Sequence, residues 1–327
     1  MRSMSVWIRA TCVVAALCLV SNLRGALADD TSAGTIFAVG DIADCTLDDA
    51  NLVSADTLDS EERKEHGLSG SERLPSSSLA VEDLIDDHSG IILALGDLAY
   101  PAGTAEDFKD CFEKVWGGHS ARTYPVPGNH EYKTADALPY KQYLLENRGI
   151  AKTFYSFDYG SWHLMALDSE IDASTQSEQM QWLQRDLAAI EGKCALAFFH
   201  KPAVTSLVRK HAEHALELYE AVGAAGVSIV LNGHNHFYER SVVLDGLIPA
   251  TTPTGTRNFT IGTGGQVRHD DALEPGPLSA KIIQAAPGVL KLDLKQHSYE
   301  WKFIAVEGHE VLDSGTTPCR LVSKVKS

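Results

Sequence analysis

The chain has 327 residues, of which 44% are hydrophobic and 22% charged, enough to bury the core of one large domain or two small ones. Its formal charge is −16, and without the three arginines of residues 1–28, a stretch that holds no acid, the remainder carries −19. So acidic a chain argues against nucleic acid or an anionic membrane as a partner, and we predict no nucleic-acid binding.

The first 28 residues have the features of a signal peptide. Arginines come early, residues 10–20 form a short apolar run, and Ala26–Ala28 provides an A-x-A cleavage site. A membrane-anchor helix is the alternative, but the apolar run is too short to span a bilayer comfortably. No later segment is long and apolar enough to be a predicted span. We therefore expect residues 29–327 to be exported, either secreted or periplasmic, and to form a single domain.

Four cysteines follow the signal segment, namely Cys45, Cys111, Cys194 and Cys319. In an oxidising compartment an even number of cysteines suggests two disulfides, and the three possible pairings stay open. Cys111 shares an apolar helix face with Phe108 and Phe112, so a buried free thiol remains an alternative for it.

Strands and helices are predicted to alternate along the first two thirds of the chain. Short apolar runs predict buried strands at 35–39, 91–95, 196–199 and 227–231. Apolar spacing and capping boxes predict helices at 76–88, after Thr104, after Thr175, and at 210–222, where Gly223 ends the last one.

Strand patterns dominate two further segments. Residues 155–159 and 162–167 flank Gly160-Ser161 and predict a hairpin. Alternating strands at 289–294, 299–306 and 310–312 predict an antiparallel meander. Together these elements indicate a layered α/β fold with mixed sheets.

Five short motifs carry polar side chains that suit metal ions. They are Gly40-Asp41, Gly96-Asp97-Leu98-Ala99-Tyr100, Gly128-Asn129-His130-Glu131, His200-Lys201-Pro202 and Gly233-His234-Asn235-His236. Four of the five directly follow a predicted strand or extended segment, and α/β folds place ligands at the carboxyl ends of strands. Oxygen and imidazole donors of this kind fit a pair of divalent or trivalent ions. Each motif alone is weak evidence, but five in this order indicate a metal site.

This order of motifs resembles the calcineurin-like metallophosphoesterase superfamily, and within it the purple acid phosphatase branch. It is most similar to small secreted bacterial members described as alkaline-phosphatase-like. The resemblance runs from about residue 35 to the C-terminus and includes Tyr155-Ser156-Phe157-Asp158, Tyr238-Glu239-Arg240 and Gly262-Thr263-Gly264-Gly265. It implies a four-layer α/β/β/α sandwich with mixed sheets.

The resemblance also implies a role for each polar residue. Asp97 would bridge two metal ions. The first ion would be completed by Asp41, Tyr100 and His236, and the second by Asn129, His200 and His234. His130 would stand beside the substrate and protonate the leaving oxygen. The expected reaction is hydrolysis of a small phosphate monoester by attack of a metal-bound hydroxide.

One departure from the superfamily concerns the first motif, which usually reads Gly-Asp-x-His. Here that last position is Ala43, which cannot bind a metal, whereas Tyr100 matches the purple acid phosphatase ligand. A phenol releases its proton best to a trivalent ion, which predicts Fe³⁺ at the first site, with Fe²⁺, Zn²⁺ or Mn²⁺ at the second. Packing of Tyr100 beside Pro101 is the alternative.

Two other functions remain open. A phosphodiesterase acting on nucleotides or lipid head groups would use the same ligands with a wider pocket. An exported metal-binding protein without catalysis is disfavoured, because His130 and every ligand position are filled. Oligomeric state and natural substrate are not predicted.

Overall fold

The computed structural model describes most of the chain, namely residues 32–46, 52–54, 64, 73–86, 88–207, 213–266 and 273–323. The predicted signal segment, residues 1–28, lies outside these ranges. Across the described residues, we find no helix with the length and apolar character needed to cross a membrane.

Short strands make up most of the regular structure. In chain order they are β1 (Ser32–Val39), β2 (Leu52–Ser54), β3 (Arg73–Pro75), β4 (Ile91–Leu95), β5 (Thr123–Val126), β6 (Tyr155–Tyr159), β7 (Trp162–Ala166), β8 (Cys194–Phe198), β9 (Ile229–Asn232), β10 (Tyr238–Ser241), β11 (Leu244–Asp245), β12 (Ile248–Pro249), β13 (Arg257–Ile261), β14 (Ser279–Ile283), β15 (Gly288–Lys295), β16 (Ser298–Ala305) and β17 (Val311–Pro318).

The helices lie between the strands. The α-helices are α1 (Ser76–Asp83), α2 (Ala105–Asp107), α3 (Glu113–Trp116), α4 (Leu138–Tyr140), α5 (Glu178–Ala189) and α6 (Glu213–Ala225). Two π-helical segments extend α2 and α4, at Phe108–Phe112 and Lys141–Leu145. Short 3₁₀ turns occupy Gly117–Arg122, Glu131–Lys133, Ala135–Ala137, Glu146–Arg148 and Glu307–His309.

Two large mixed sheets organise the molecule. The first has the strand order β17-β16-β15-β1-β4-β5, and the second has the order β14-β10-β13-β9-β8-β7-β6. In the first sheet the neighbouring strands β1, β4 and β5 run parallel, with β5 at the edge, and in the second sheet β7, β8, β9 and β13 run parallel. The carboxyl ends of these parallel strands carry the loops in which the sequence motifs lie.

Alternation of side chains along the strands builds the layers. Ile36 belongs to an apolar cluster that also holds Leu196 and Leu231 of the second sheet, whereas its neighbour Phe37 belongs to the cluster that contains Val81 of α1. A third cluster joins the other face of the second sheet to Leu183 of α5 and to α6. Successive strand residues point to opposite faces, so each sheet packs on its partner and on helices. The α/β/β/α prediction is confirmed.

Two helix boundaries differ from the predictions. The N-cap of α5 is Ser177, whose hydroxyl accepts a hydrogen bond from the amide of Met180, so Thr175 does not cap it. Helix α6 continues through Gly223 and ends before Gly226, where φ is +91° and the amide of Val227 donates to the carbonyl of Val222. A left-handed residue is the ordinary way to end a helix, and here the second glycine supplies it.

Two disulfides join segments that are distant in sequence. Cys45 pairs with Cys111, and Cys194 pairs with Cys319, with sequence separations of 66 and 125. The prediction of two disulfides is confirmed, and the alternative of a free thiol at Cys111 is wrong. The first bridge ties the loop after β1 to the helical segment that covers the first sheet.

Candidate metal centre

The predicted site residues all lie in loops at the carboxyl ends of parallel strands. These loops follow β1 (Asp41), β4 (Asp97 and Tyr100), β5 (Asn129 and His130), β8 (His200) and β9 (His234 and His236). Strand β5 was not predicted from an apolar run. It places the third motif at the carboxyl end of a parallel strand, like the other four motifs. The carboxyl ends of parallel strands meet at one edge of a sheet, so the fold brings all eight side chains together.

One group of donors gathers around the hydroxyl of Tyr100. That oxygen lies 3.0 Å from Asp41 Oδ1, 3.3 Å from Asp97 Oδ2 and 3.4 Å from His236 Nε2. His236 Nε2 lies 3.1 Å from the same oxygen of Asp41. Tyr100 is 3% exposed, and its hydroxyl points toward these three side chains.

A second group gathers around the ring of His200. Its Nε2 lies 3.3 Å from Asn129 Oδ1, 3.2 Å from His234 Nδ1 and 3.2 Å from Asp97 Oδ2. The side chains of Asp97, His200 and His234 each offer a ligand atom, and these atoms all lie within 4.8 Å of one another.

Asp97 is the residue that the two groups share. The same oxygen, Oδ2, lies 3.3 Å from the Tyr100 hydroxyl and 3.2 Å from His200 Nε2. Its other oxygen accepts a hydrogen bond of 2.8 Å from the amide of His130, which fixes the orientation of the carboxylate. This carboxylate is therefore placed between two sets of donors.

Three of these residues have a left-handed backbone. The φ angles are +61° at Asp41, +51° at Asp97 and +69° at His234. Residues other than glycine adopt such angles at a cost of order 1–3 kcal/mol, so the surrounding structure must hold them there. Part of that support is a hydrogen bond of 2.8 Å from the amide of His234 to Asp41 Oδ2, which joins the first sheet to the second.

The buried ring of His200 is oriented by the carbonyl of Leu95, which accepts a hydrogen bond of 2.8 Å from Nδ1. Because this carbonyl holds the proton on Nδ1, a cation that displaces the proton from Nε2 would bind His200 through Nε2, which faces Asp97 and Asn129. A backbone partner of this kind sets the tautomer of a metal-binding histidine.

Glu131 supports the site without facing it, and sequence reasoning missed this. Its fully buried carboxylate accepts hydrogen bonds from four backbone amides, those of Asp97 (2.9 Å), Leu98 (2.9 Å), Ala99 (3.2 Å) and Gly128 (2.7 Å). It therefore fastens the loop after β4 to the loop after β5. The one signal in the sequence was an acid directly after two predicted site residues.

Close packing explains one of the motif glycines. A Cβ added at Gly128 would lie 2.3 Å from Asp97 Oδ1 and 2.4 Å from the Asp97 amide nitrogen. No side chain fits in that space, so glycine is needed for the loop after β5 to approach Asp97.

The glycine-rich turn at 262–265 also has a supporting role. The amide of Gly264 donates a 3.0 Å hydrogen bond to the carbonyl of Gly40, and a Cβ at Gly264 would lie 2.3 Å from Ile42 Cγ2. That amide is therefore occupied, and the turn packs against the loop that carries Asp41.

The carboxylates of Asp41 and Asp97 give the site an excess of negative charge. Burial raises the pKa of Tyr100 well above its usual value, and the charges of Asp41 and Asp97 raise it further. Burial lowers the pKa of His200, but the ion pair with Asp97 prevails and raises it to about 10. Tyr100 therefore becomes a phenolate only if a strong positive charge is bound beside it.

The donor set fits a pair of metal ions. Two carboxylates, a phenol, an amide oxygen and three imidazoles are the hard and borderline ligands that iron, zinc and manganese prefer. In addition, the buried Nδ1 of His236 has no hydrogen-bond partner among the described residues. Asp41, Asp97, Tyr100 and His236 could hold one ion, and Asp97 with Asn129, His200 and His234 could hold the other.

His130 stands at the edge of these groups. Its Nδ1 donates a 2.7 Å hydrogen bond to the carbonyl of Pro101, and its Nε2 lies 3.9 Å from Asp97 Oδ2. The ring is partly exposed and is oriented by its backbone partner. An imidazole in this position can exchange a proton with a molecule bound over Asp97.

Comparison with known proteins supports this description. The model of the calcineurin-like phosphoesterase family matches residues 34–238. Purple acid phosphatase 22 of Arabidopsis thaliana is 29% identical over 240 residues, which are 64% of this chain and 53% of that protein. The chain spans about half the length of the curated relatives it matches.

Solved structures share the fold at low sequence identity. A purple acid phosphatase from yellow lupin seeds has a TM-score of 0.62 at 17% identity, over 88% of this chain and 54% of its own. GAP50 of Plasmodium, described as the anchor in the inner membrane complex, has a TM-score of 0.59 at 12% identity, over 89% of this chain and 90% of its own. At such identities the likeness concerns the fold alone.

Proposed function

Since the chain belongs to the calcineurin-like phosphoesterase family, we propose that it is a secreted, dinuclear metal-dependent enzyme that hydrolyses phosphate monoesters. The observation that carries the proposal is the position of Asp97. One oxygen of this carboxylate lies within 3.3 Å of both donor groups, as a ligand that bridges two ions requires.

Each donor group has the chemistry of a different ion. A phenol with a raised pKa, beside two carboxylates, loses its proton most readily to a trivalent ion, so Fe³⁺ is proposed with Asp41, Asp97, Tyr100 and His236. The second group has two histidines and an amide oxygen, and softer divalent ions suit it. Fe²⁺, Zn²⁺ or Mn²⁺ is therefore proposed with Asp97, Asn129, His200 and His234.

The chain's own residues would contribute binding, orientation and one proton. When bound, the two cations would neutralise phosphate oxygens and lower the pKa of a water molecule. His130 would protonate the leaving oxygen through Nε2, because the carbonyl of Pro101 occupies its Nδ1. A positioned general acid contributes roughly 10²–10⁴-fold in rate. Neither a serine nor a cysteine nucleophile is required.

Export and domain organisation belong to the same proposal. Residues 1–28 would be removed as a signal peptide, and residues 29–327 would form a single catalytic domain. The disulfides Cys45–Cys111 and Cys194–Cys319 support an oxidising compartment, because cytosolic proteins rarely keep such bonds. Edman sequencing of the exported protein should begin at Asp29, and an intact Met1 on exported material would contradict signal cleavage.

The test of the proposed reaction is an assay with 4-nitrophenyl phosphate and its bis ester, before and after treatment with a chelator. We expect hydrolysis of the monoester to stop when metal is removed and to return when iron and zinc or manganese are added back. Preference for the bis ester would instead identify a phosphodiesterase. Failure of the metal-loaded protein on both esters would identify a non-catalytic protein, since a shared fold does not itself imply catalysis.

A further inference from the structure

Lys133 lies at the edge of the site and has no part in the proposed reaction. It ends the 3₁₀ turn Glu131–Lys133 directly after His130. Its Nζ lies 2.9 Å from His130 Nδ1 and 3.2 Å from His130 Nε2, and it donates a 3.0 Å hydrogen bond to the carbonyl of Pro101. The ammonium group is thus held against the imidazole.

The charge of Lys133 is not neutralised within the described part of the chain, where no carboxylate lies within 4.0 Å of its Nζ. The other lysine in the site loops differs, because Lys201 forms a 2.5 Å ion pair with Glu170. In a chain of net charge −16, an exposed lysine that lies beside a proposed general acid and pairs with no described carboxylate is a cation available to a ligand.

The position of Lys133 specifies which part of a substrate it would meet. In the proposed reaction, which this inference rests on, His130 Nε2 donates to the leaving oxygen at about 2.8 Å. Since Nζ lies 3.2 Å from Nε2, that oxygen comes within about 6 Å of the ammonium group. An anionic atom about three bonds beyond the oxygen can then come within hydrogen-bonding distance of the ammonium group. Lys133 therefore lies on the leaving-group side, away from the transferred phosphate.

We propose that Lys133 is a specificity-determining residue that favours phosphate esters whose leaving group carries a second negative charge close to the ester oxygen. A carboxylate or a further phosphate in that place would pair with the ammonium group. In the hydrolysis itself water adds to phosphorus, the ester P–O bond breaks, and the leaving alcohol departs with its anionic group beside Lys133.

The experiment uses a matched pair of substrates, 2-phosphoglycolate and its neutral amide, which differ in one charge next to the leaving oxygen. The quantity measured is the ratio of their kcat/KM values, in which a general loss of activity cancels. We expect Lys133→Gln to lower this ratio roughly fivefold, the upper range for an exposed ion pair. Lys133→Arg should keep the ratio, and Lys133→Glu should lower it further than Lys133→Gln does.

Lys302, an exposed lysine in β16, is the matched control, because Lys302→Gln changes net charge equally and should leave the ratio as in the parent protein. An equal loss on both substrates in Lys133→Gln would mean that Lys133 only positions His130, and it would overturn the inference while the proposed function stands. An unchanged ratio would overturn it in the same way. No hydrolysis of 4-nitrophenyl phosphate by the parent protein would overturn both.

Discussion

Among the described residues, two groups of histidine and carboxylate side chains have ligand atoms close enough to hold a metal ion, and their surroundings differ. In the candidate metal centre, His200 and His234 lie with Asp97 at the ends of separate strands. The other cluster, which we call the His119 cluster, consists of Glu82, Asp86 and His119 on the outer side of the first sheet. By residue type alone, either group suits a metal ion.

The partners of the ring nitrogens separate the two clusters. His119 Nε2 is hydrogen-bonded to Glu82, and Arg122 donates to His119 Nδ1 at 3.1 Å, so both nitrogens are occupied by protein groups. In the candidate metal centre the Nδ1 of His200 is bound to a backbone carbonyl, whereas its Nε2 faces three donor atoms of other side chains. Both ring nitrogens of His119 are thus engaged, whereas the donor atoms around His200 Nε2 point at a shared space that can accept a cation.

The largest effect should follow from Asp97→Ala. Without the shared carboxylate two cations would repel each other at close range, so both should be lost and activity should fall to background. Metal analysis and the 4-nitrophenyl phosphate assay measure this. Asp86→Ala removes an aspartate from the His119 cluster and should leave both readings unchanged. Two metal equivalents retained by Asp97→Ala would refute the bridging role.

A smaller loss, with a different signature, should follow from His130→Ala. His130 is proposed as an acid and not as a ligand, so metal content should stay near normal. Turnover should fall by roughly 10²–10⁴ for alkyl phosphates, and by less for 4-nitrophenyl phosphate, whose leaving group departs without protonation. Equal losses on the two kinds of substrate would count against proton donation.

Glu131→Gln tests whether the carboxylate of Glu131, which joins the loop after β4 to the loop after β5, matters more for metal binding than a buried carboxylate elsewhere does. A glutamine has one acceptor oxygen, and its amide group would face backbone N–H groups that Glu131 now satisfies. We expect metal affinity to fall by roughly 10–100-fold, the usual effect of removing a group that orients ligands.

The control for this substitution is Glu82→Gln, the same change in the His119 cluster. It should lower the free energy of unfolding by about 1–3 kcal/mol, because a buried hydrogen-bonded carboxylate is lost, without changing metal affinity. Metal titration and denaturant unfolding separate the two outcomes. Parent-like metal affinity in Glu131→Gln would show that the four amides need no carboxylate.

The mildest effect on turnover is expected for Tyr100→Phe, whose main consequence is spectroscopic. A phenolate bound to Fe³⁺ should give a visible charge-transfer band, and this variant should lose the band and have iron that is easier to reduce. Asn129→Ala, which alters the second donor group, should leave the colour largely in place. A fully active, colourless, zinc-only protein that is indifferent to Tyr100→Phe would contradict the assignment of iron.

Sequence reasoning succeeded where the information was local. Glycine followed by Asp41 or Asp97 directly after an apolar run marked strand ends, and the run of motifs selected side chains that the fold brings close together. It failed where contacts join distant segments. The pairing of Cys194 with Cys319 spans 125 residues, and the role of Glu131 depends on amides about 30 residues earlier.

The His119 cluster went unnoticed for the same reason. Glu82 lies in α1 and His119 in a later 3₁₀ turn, so only packing of these elements brings them together. Strand β5 was missed because its four residues, Thr123–Val126, contain a proline and too few apolar positions to form a recognisable run.

The most direct test of a dinuclear centre is a crystal structure of the metal-loaded protein with anomalous scattering recorded at the iron and zinc edges. We predict two peaks on either side of Asp97, with the iron peak against Asp41, Tyr100 and His236, and the second against Asn129, His200 and His234. No peak is expected at Glu82, Asp86 and His119. A single peak at the centre, or a peak at the His119 cluster in place of the pair, would contradict the proposal.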